Sequence, residues 1–217
     1  SSVLGATYDI SDTAETVASA LTAGNLEVND ARSIEATNDG NVDLSFTDAD
    51  SLLNGNGVAP LQTGTGADNV TVTGTISVDQ ASKVLDTTYN ISDAAHIVAA
   101  AMNASDAEVN NAQTITTTND GTVGSVSLSF AEADALLNGT ANASQTGTDP
   151  EDVTVTGTIS VAQASDVLGA SYNISDAAET VAAAMIAEDA SGVNGAQSIT
   201  TTNDGTVGSV SLSFAEA

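Results

Sequence analysis

The sequence predicts a tandem repeat of short strands and short alanine-rich helices, of the α+β or α/β class, in an elongated array. Two observations predict it. The segment Ile115–Ala133 recurs without change at Ile199–Ala217. Within each copy, period-two strand patterns alternate with stretches of helical spacing. An α/β solenoid and a string of small α+β domains both satisfy this pattern. Immunoglobulin-like β-sandwich beads are a further alternative, although alanine-rich helices have no place in them.

The period of the repeat sets the domain count. Tyr8, Tyr89 and Tyr172 each begin the motif Y-[ND]-I-S-D-x-A, and the three Phe residues recur with a similar period. We predict a partial repeat, a full repeat and a second partial repeat, with the boundaries 1–69, 70–152 and 153–217. Both ends fall inside predicted helices, so we expect the chain to be a segment of a longer array of units of about 83 residues.

The full repeat begins with a strand and a helix. Val70–Ser77 alternates apolar and polar residues, which is typical of a half-buried strand. Residues 78–85 carry apolar side chains at helical spacing and predict a helix. Either Ser77 or Asp79 can serve as its N-cap.

A second strand and the longest helix follow, over 87–92 and 92–102. In the other two copies Asp12 and Asp176 precede a Glu by three residues, which predicts a capping box with Asp as the N-cap. The stripe of apolar residues that should face the core of this helix comprises Ala95, Val98, Ala99 and Met102.

The rest of the repeat predicts two strands, over 112–118 and 125–130, and a short helix over 131–137. The polar stretch 138–152, with its counterpart 54–69, predicts a linker or surface loop. Every aromatic residue belongs to a repeated Tyr or Phe position. We predict that these rings are core anchors on strands; stacking of the Tyr rings on carbohydrate is the alternative.

Charge and composition exclude several functions. The chain has 29 Asp and Glu against 2 Lys and Arg, a net charge of −27, and no Cys. Such a chain cannot bind nucleic acid by neutralising phosphates. It cannot form disulfides or thiolate metal sites. No apolar run approaches the ~20 residues that a membrane-spanning helix needs.

The acidic loops predict calcium sites, because calcium takes carboxylate and carbonyl oxygens and glycine permits the sharp turns around it. Three Asn-Asp-Gly turns recur, and residues 64–71 resemble one unit of the RTX nonapeptide, with a counterpart at 147–153. Ordinary turns without a metal are the alternative. The predicted ligands are Asp39, Asp68, Asp120, Asp149, Glu151, Asp152 and Asp204.

Catalysis is not predicted. His96, Lys83 and Arg32 each occur in a single copy, and no G-x-S-x-G motif is present. The acids recur with the repeat, whereas a hydrolase needs one unique pair. We therefore predict no enzyme activity and no catalytic residue.

The motif Y-[ND]-I-S-D-x-A-x-x-[VI]-A, together with T-G-T-I-S-V-x-Q-A-S, resembles the long tandem repeats of giant acidic bacterial surface and secreted proteins. These are of the RTX-associated adhesin or surface-layer type. The resemblance implies an extracellular adhesin stalk, surface layer or fibre that folds in calcium. Near-identical copies also indicate a role set by length and surface repetition, with neighbouring repeats, other copies of the chain or cell-surface components as partners.

A cytoplasmic acidic scaffold protein of a salt-loving organism is the alternative function. An acidic bias across the proteome of such an organism would give the same charge. Folding that requires calcium favours export, and folding driven by molar potassium chloride favours the halophile.

Overall fold

The computed structural model describes residues 8–38, 40–57, 59–119, 126–139, 145–187 and 190–202. Within these residues the strands β1 to β11 are, in chain order, Asp9–Thr13, Ser33–Thr37, Val42–Leu44, Val70–Ile76, Thr88–Ala94, Thr114–Thr118, Val126–Leu128, Gln145–Thr146, Val153–Ile159, Ser171–Ala177 and Ser198–Thr202. The α-helices α1 to α10 are Ala14–Thr22, Leu26–Asn29, Phe46–Asn54, Val78–Ala81, Ala95–Ala104, Ala107–Asn111, Phe130–Asn138, Val161–Ala164, Ala178–Ile186 and Ser191–Asn194. Short 3₁₀ helices occupy Ala67–Asn69, Pro150–Asp152 and Ser165–Val167.

The described residues divide into two compact units. The first comprises the described residues from Tyr8 to Asp93, together with Asp106–Ile115. The second comprises Ala94–Ser105 and the described residues from Thr116 onward. The three predicted repeat boundaries are a separate division of the chain and stay a prediction.

The first unit contains two parallel arrangements of strands. β1 pairs with β2 in the register Asp9↔Ser33 to Thr13↔Thr37. β3, β4, β5 and the start of β6 lie side by side in that order, with Val42↔Val70 joining β3 to β4. The β4–β5 register shifts between Thr71 and Thr75, where Gly74 adopts a φ of 77°. A glycine suits this irregularity because other residues are strained at positive φ.

The second unit repeats this pattern. Its four-stranded sheet has the order β11-β10-β9-β7, and the pairings β7–β9, β9–β10 and β10–β11 are all parallel. Ile159 at the end of β9 pairs with Ile174 in β10. The short helix α8 and the 3₁₀ turn that follows it are therefore enough to connect two parallel strands. The end of β6 and β8 form a second strand pair.

The mixed α/β class is therefore confirmed, and the immunoglobulin-like alternative is wrong. An immunoglobulin-like sandwich consists of antiparallel sheets, whereas the pairings with a defined register here are parallel and are connected through helices. The five longest helices each bury at least two small or branched apolar residues. In α5, Ala95, Val98 and Ala99 are buried as predicted, while Met102 is only half-buried.

The predicted capping boxes of Asp12 and Asp176 are wrong. Asp12 lies in β1, and α1 begins only at Ala14, with Thr13 as its N-cap; the Thr13 hydroxyl accepts a hydrogen bond from the Thr16 N–H at 3.3 Å. In the other copy Asp176 lies in β10, because pairing with β11 continues to Ala177. Parallel pairing therefore extends the strand over the residues that resemble a helix start.

The predicted position of the Phe residues is also wrong. Phe46 and Phe130 are the first residues of α3 and α7, and both are half-buried. The strand before α7 ends at Leu128, because Ser129 and Glu132 form a capping box: the Ser129 hydroxyl accepts from the Glu132 N–H and the Glu132 carboxylate accepts from the Ser129 N–H. Phe214 lies outside the described residues.

The helix predicted over 78–85 is shorter than expected. α4 covers only Val78–Ala81, and Ser77, not Asp79, is its N-cap. The Ser77 hydroxyl accepts from the Gln80 N–H at 3.1 Å and the Gln80 side chain accepts from the Ser77 N–H at 3.0 Å. In the described part of the chain, no helix has the length and apolar character that crossing a membrane requires.

Candidate functional site

Gln62–Thr65 lies against the edge of β2 that faces away from β1. The Ala36 N–H donates to the carbonyl of Thr63 at 2.7 Å, and the Thr63 N–H donates to the carbonyl of Ile34 at 2.9 Å. The Gln62 amide closes this turn by donating to the carbonyl of Thr65 at 2.8 Å. This segment and its counterpart Gln145–Thr148 are called the Gln-Thr-Gly-Thr clips below.

The second clip, Gln145–Thr148, forms the same internal bond in the second unit. The Gln145 amide donates to the carbonyl of Thr148 at 2.9 Å. The Thr117 hydroxyl on β6 lies 2.8 Å from the Gln145 side-chain oxygen, 3.0 Å from the Thr146 carbonyl oxygen and 2.8 Å from the Thr148 hydroxyl. Both clips therefore pair with the outer edge of a strand through backbone and threonine groups.

The threonines through which the clips contact their strands are among the few buried polar residues of the described chain. Within the described residues, the buried polar side chains are Thr65, Thr87, Thr117 and Thr148. Three of these four belong to a clip or to the strand beneath it. Since a buried hydroxyl without a partner costs about 1–3 kcal/mol, the hydrogen bonds of the clips are needed for stability. The Thr65 hydroxyl, for example, donates to the Asn38 side chain at 2.7 Å.

The glycine of each clip is required for two reasons. Gly64 and Gly147 adopt φ values of 102° and 106°, which side-chain-bearing residues rarely tolerate. A Cβ on Gly64 would lie 2.3 Å from the Ala36 carbonyl oxygen, and a Cβ on Gly147 would lie 2.2 Å from the Thr117 carbonyl oxygen. Only glycine allows the clip backbone to approach the strand this closely.

Among the described strands, the third copy of this strand, β11, lies at the edge of its sheet, and its residues are exposed. Ile199 is 38% exposed, whereas the equivalent Ile34 and Ile115 are each 1% exposed. Thr201, the equivalent of the buried Thr117, is exposed as well. The described residues place no clip on β11.

The repeated tyrosines have a structural role. Tyr89 and Tyr172 lie in β5 and β10 and are 0% and 1% exposed, so the prediction of core anchors is confirmed for them. Their hydroxyls donate to the carbonyls of Glu108 and Gly192, at 2.8 and 2.7 Å, and hold the short helices α6 and α10. Burial, followed by the charges of Glu108 and Asp86, raises the pKa of Tyr89 to about 12.

The aspartate of the motif Y-[ND]-I-S-D-x-A caps a neighbouring helix in two copies of the repeat. The Asp93 carboxylate accepts from the Val78 N–H at 3.0 Å, and the Asp176 carboxylate accepts from the Val161 N–H at 3.0 Å. These N–H groups belong to the first residues of α4 and α8, where helices have unpaired donors. The carboxylates therefore join a strand to the helix that precedes it.

The predicted metal ligands that are described do not come together as a metal site. Asp68, Asp149 and Glu151 are exposed. Asp152 is half-buried, and its carboxylate accepts from the Asn119 amide at 2.7 Å and from the Asp149 N–H at 3.4 Å. In the part of the chain that the structure describes, no three acidic or histidine side chains form a group that could hold a metal ion. Asp39, Asp120 and Asp204 lie outside the described residues.

The three residues with basic side chains are all exposed. His96 is exposed at the second position of α5 and lines a cleft of about 450 Å³, in which no other described lining residue is titratable. Lys83 is exposed after α4. Arg32 forms an ion pair with Asp9, in which its Nε lies 2.9 Å from the carboxylate.

The clips lie in the stretches for which the sequence predicts a linker or a surface loop, and for residues 145–148 that prediction is wrong. Gln145–Thr146 is a strand, and Thr148 is 3% exposed. The recurrence of Gln-Thr-Gly-Thr at Gln62 and Gln145 was the available signal. It was hidden because glycine and threonine are common in loops.

Comparison of this chain with known protein families, curated proteins and solved structures finds no match.

Proposed function

We infer that this protein is a non-enzymatic, repetitive structural protein that acts outside the cell, as a fibre, a surface layer or an adhesin stalk. The observation that carries this proposal is the pair of Gln-Thr-Gly-Thr clips, whose sequence and internal hydrogen bond recur from one copy of the repeat to the next. A protein whose role is set by its length needs each copy to fold in the same way. A clip that closes one strand edge in the first copy and in the second serves that need without any unique pocket.

The other repeated polar groups support the same function. Tyr89 and Tyr172 use their hydroxyls to fix short helices, and Asp93 and Asp176 use their carboxylates to cap others. An active site requires a convergent set of groups that face a substrate. Here these recurring tyrosines and aspartates are engaged within the protein, as expected where the repeat is selected for folding.

The proposal includes an elongated array of units of about 83 residues. Chains with two, three and four copies test this by small-angle X-ray scattering. The radius of gyration of an array should grow almost in proportion to the number of copies. That of one compact globule should grow only as about the 0.38 power of chain length, and such growth would contradict the array.

The extracellular location is tested by immunogold electron microscopy of the source cells, with an antibody against this chain. Label on filaments favours a fibre, label on a regular sheet favours a surface layer, and label at thin projections favours a stalk. Label confined to the cytoplasm would contradict the proposal and favour the halophile scaffold, which then should fold in molar potassium chloride without calcium.

Calcium stabilisation is part of the proposal, and the net charge of −27 and the acidic loops support it. A cation that binds only the folded chain stabilises it by about 2.7 kcal/mol at a concentration 100 times its Kd. We expect the midpoint of urea unfolding at low salt to rise with millimolar calcium and to fall with a chelator, while magnesium serves as the matched control. If the midpoint of urea unfolding does not change when the chelator is added, calcium stabilisation is contradicted, and the proposed structural function is unaffected.

A further inference from the structure

We propose that the outer edge of β11 is an acceptor for one further Gln-Thr-Gly-Thr segment, supplied by another copy of this repeat, which adds to the sheet as a parallel strand. The proposal rests on the proposed function only for the biological source of the segment. The acceptor itself follows from strand pairing and burial within the second unit.

The edge of β11 has the residues that a clip covers elsewhere. Residues 199–202 have the sequence Ile-Thr-Thr-Thr, identical to residues 115–118. At the equivalent position in the first copy, the backbone of Ile34 and Ala36 exchanges two hydrogen bonds with Thr63. Ile199 on β11 is 38% exposed, whereas Ile34, at the equivalent position on a strand that carries a clip, is 1% exposed.

The polar groups of the edge are complementary to the same segment. On β6 the Thr117 hydroxyl lies within 3.0 Å of groups of Gln145, Thr146 and Thr148. Thr201 offers an equivalent hydroxyl on β11, and it is exposed. An exposed parallel edge of this kind binds an extended segment through its backbone, and alternate side chains give specificity.

Glycine and glutamine identify the occupant as a copy of this repeat. The glycine must approach a strand carbonyl so closely that a Cβ would lie 2.2 Å from it in the second clip. The glutamine closes the turn that presents both threonines. Within the described residues both such segments, Gln62–Thr65 and Gln145–Thr148, already lie on strands, so the occupant of β11 is a further segment of the same sequence.

The test is a titration of the isotopically labelled full chain with a peptide of residues 143–152, in about 0.15 M salt, where charge repulsion is screened beyond ~8 Å. We expect hydrogen exchange of the β11 amides to slow by at least about tenfold at saturation. Exchange in β6, which already has its clip, should stay unchanged. A matched peptide with Gly147→Ala should give no protection.

Two variants of the chain test the acceptor. Thr201→Val should weaken peptide binding by about tenfold, the loss expected for one buried hydroxyl contact. Thr200→Val is the control, because the equivalent Thr116 on β6 is exposed and should not contact the peptide. Both positions are exposed on β11, so neither variant should unfold the chain.

The proposal is overturned if ~1 mM native peptide, an upper limit for a useful contact, fails to protect β11, or if the Gly147→Ala peptide protects it equally. If the peptide does not protect β11 but the immunogold label lies outside the cell, the acceptor proposal is wrong and the proposed function stands. If the peptide binds β11 specifically but the label lies only in the cytoplasm, the acceptor proposal stands and the proposed extracellular function is wrong.

Discussion

Residues 115–118 of β6 and residues 199–202 of β11 have the same sequence and different burial. Ile115 is 1% exposed and Ile199 is 38% exposed. Thr117 is 3% exposed, while Thr201 is exposed. Because the four residues are identical, their local sequence cannot account for the difference. Burial at these positions depends on the segments that pack around the strand.

The inner sides of the two strands are alike. The Thr114 hydroxyl donates to the Asn90 side chain at 2.7 Å, and the Ser198 hydroxyl donates to the Asn173 side chain at 2.6 Å. The strand that precedes each of them carries a buried tyrosine that holds a short helix. At the outer edge the described residues differ: the Thr117 side contacts a clip, and no described residue forms a clip on the Thr201 side. The helix α9 also buries fewer residues than its counterpart α5.

Gly147→Ala should abolish this difference by removing the clip from β6. The new Cβ would lie 2.2 Å from the Thr117 carbonyl oxygen, and φ at this position is 106°. Strain and clash together should destabilise the second unit by about 3 kcal/mol. Hydrogen exchange across residues 116–118 should then approach that of β11, as read by mass spectrometry with urea unfolding in parallel.

Gly157→Ala is the matched control for that variant. Gly157 has a φ of 80°, but a Cβ there meets no atom within 4 Å. It should cost only the backbone strain, about 1–2 kcal/mol, and leave the exchange of residues 116–118 slow. Equal effects of the two substitutions would show that the close approach of the clip to β6 does not matter.

Thr148→Val should weaken the clip without displacing it. The variant removes a hydroxyl that lies 2.8 Å from the Thr117 hydroxyl in a buried site, at a cost of about 1–2 kcal/mol. Thr116→Val on the exposed side of β6 should change the free energy of unfolding by less than about 0.5 kcal/mol. If urea unfolding gives both variants the wild-type midpoint, the buried hydroxyls contribute nothing to the pairing.

The sequence predicted the positions of the strands and helices better than the residues at which they begin and end. Val70–Ile76 and Thr114–Thr118 lie within the predicted strands because alternation of apolar and polar residues reports burial of one face directly. The starts of α1 and α9 were wrong because Asp12 and Asp176 resemble N-caps locally. Parallel pairing with a strand that lies beyond the following helices in the chain decides where these strands end.

The clips could not be predicted as sites from composition alone. Gln145–Thr148 reads as a loop, and its importance comes from contact with Thr117 on a strand much earlier in the chain. The predicted ligands Asp149 and Asp152 follow the clip directly, and Asp152 accepts from Asn119. Their acidic pattern is thus explained in part by a hydrogen-bonded turn.

Tyr89→Phe should have the smallest effect and tests whether the inner side of the strands contributes independently of the clip. The variant removes the hydrogen bond to the Glu108 carbonyl at 2.8 Å, at a cost of about 1 kcal/mol. Because burial raises the pKa of Tyr89 from 10.0 to about 12, the unfolded chain loses this proton first as pH rises. The wild-type stability from this group should therefore be complete below pH 10 and decline between pH 10 and about pH 12.

The pH dependence distinguishes the tyrosine from a general effect of charge. Thermal unfolding of the wild type and of Tyr89→Phe should be compared at closely spaced pH values over that interval. The gap between their midpoints should narrow as pH rises, because the phenylalanine variant has no proton to lose at this position. Tyr172, whose pKa burial also raises, remains in both proteins and cancels from the comparison. A constant gap would mean that the Tyr89 hydroxyl titrates equally in the folded and unfolded chain, and that the hydrogen bond to α6 does not hold it.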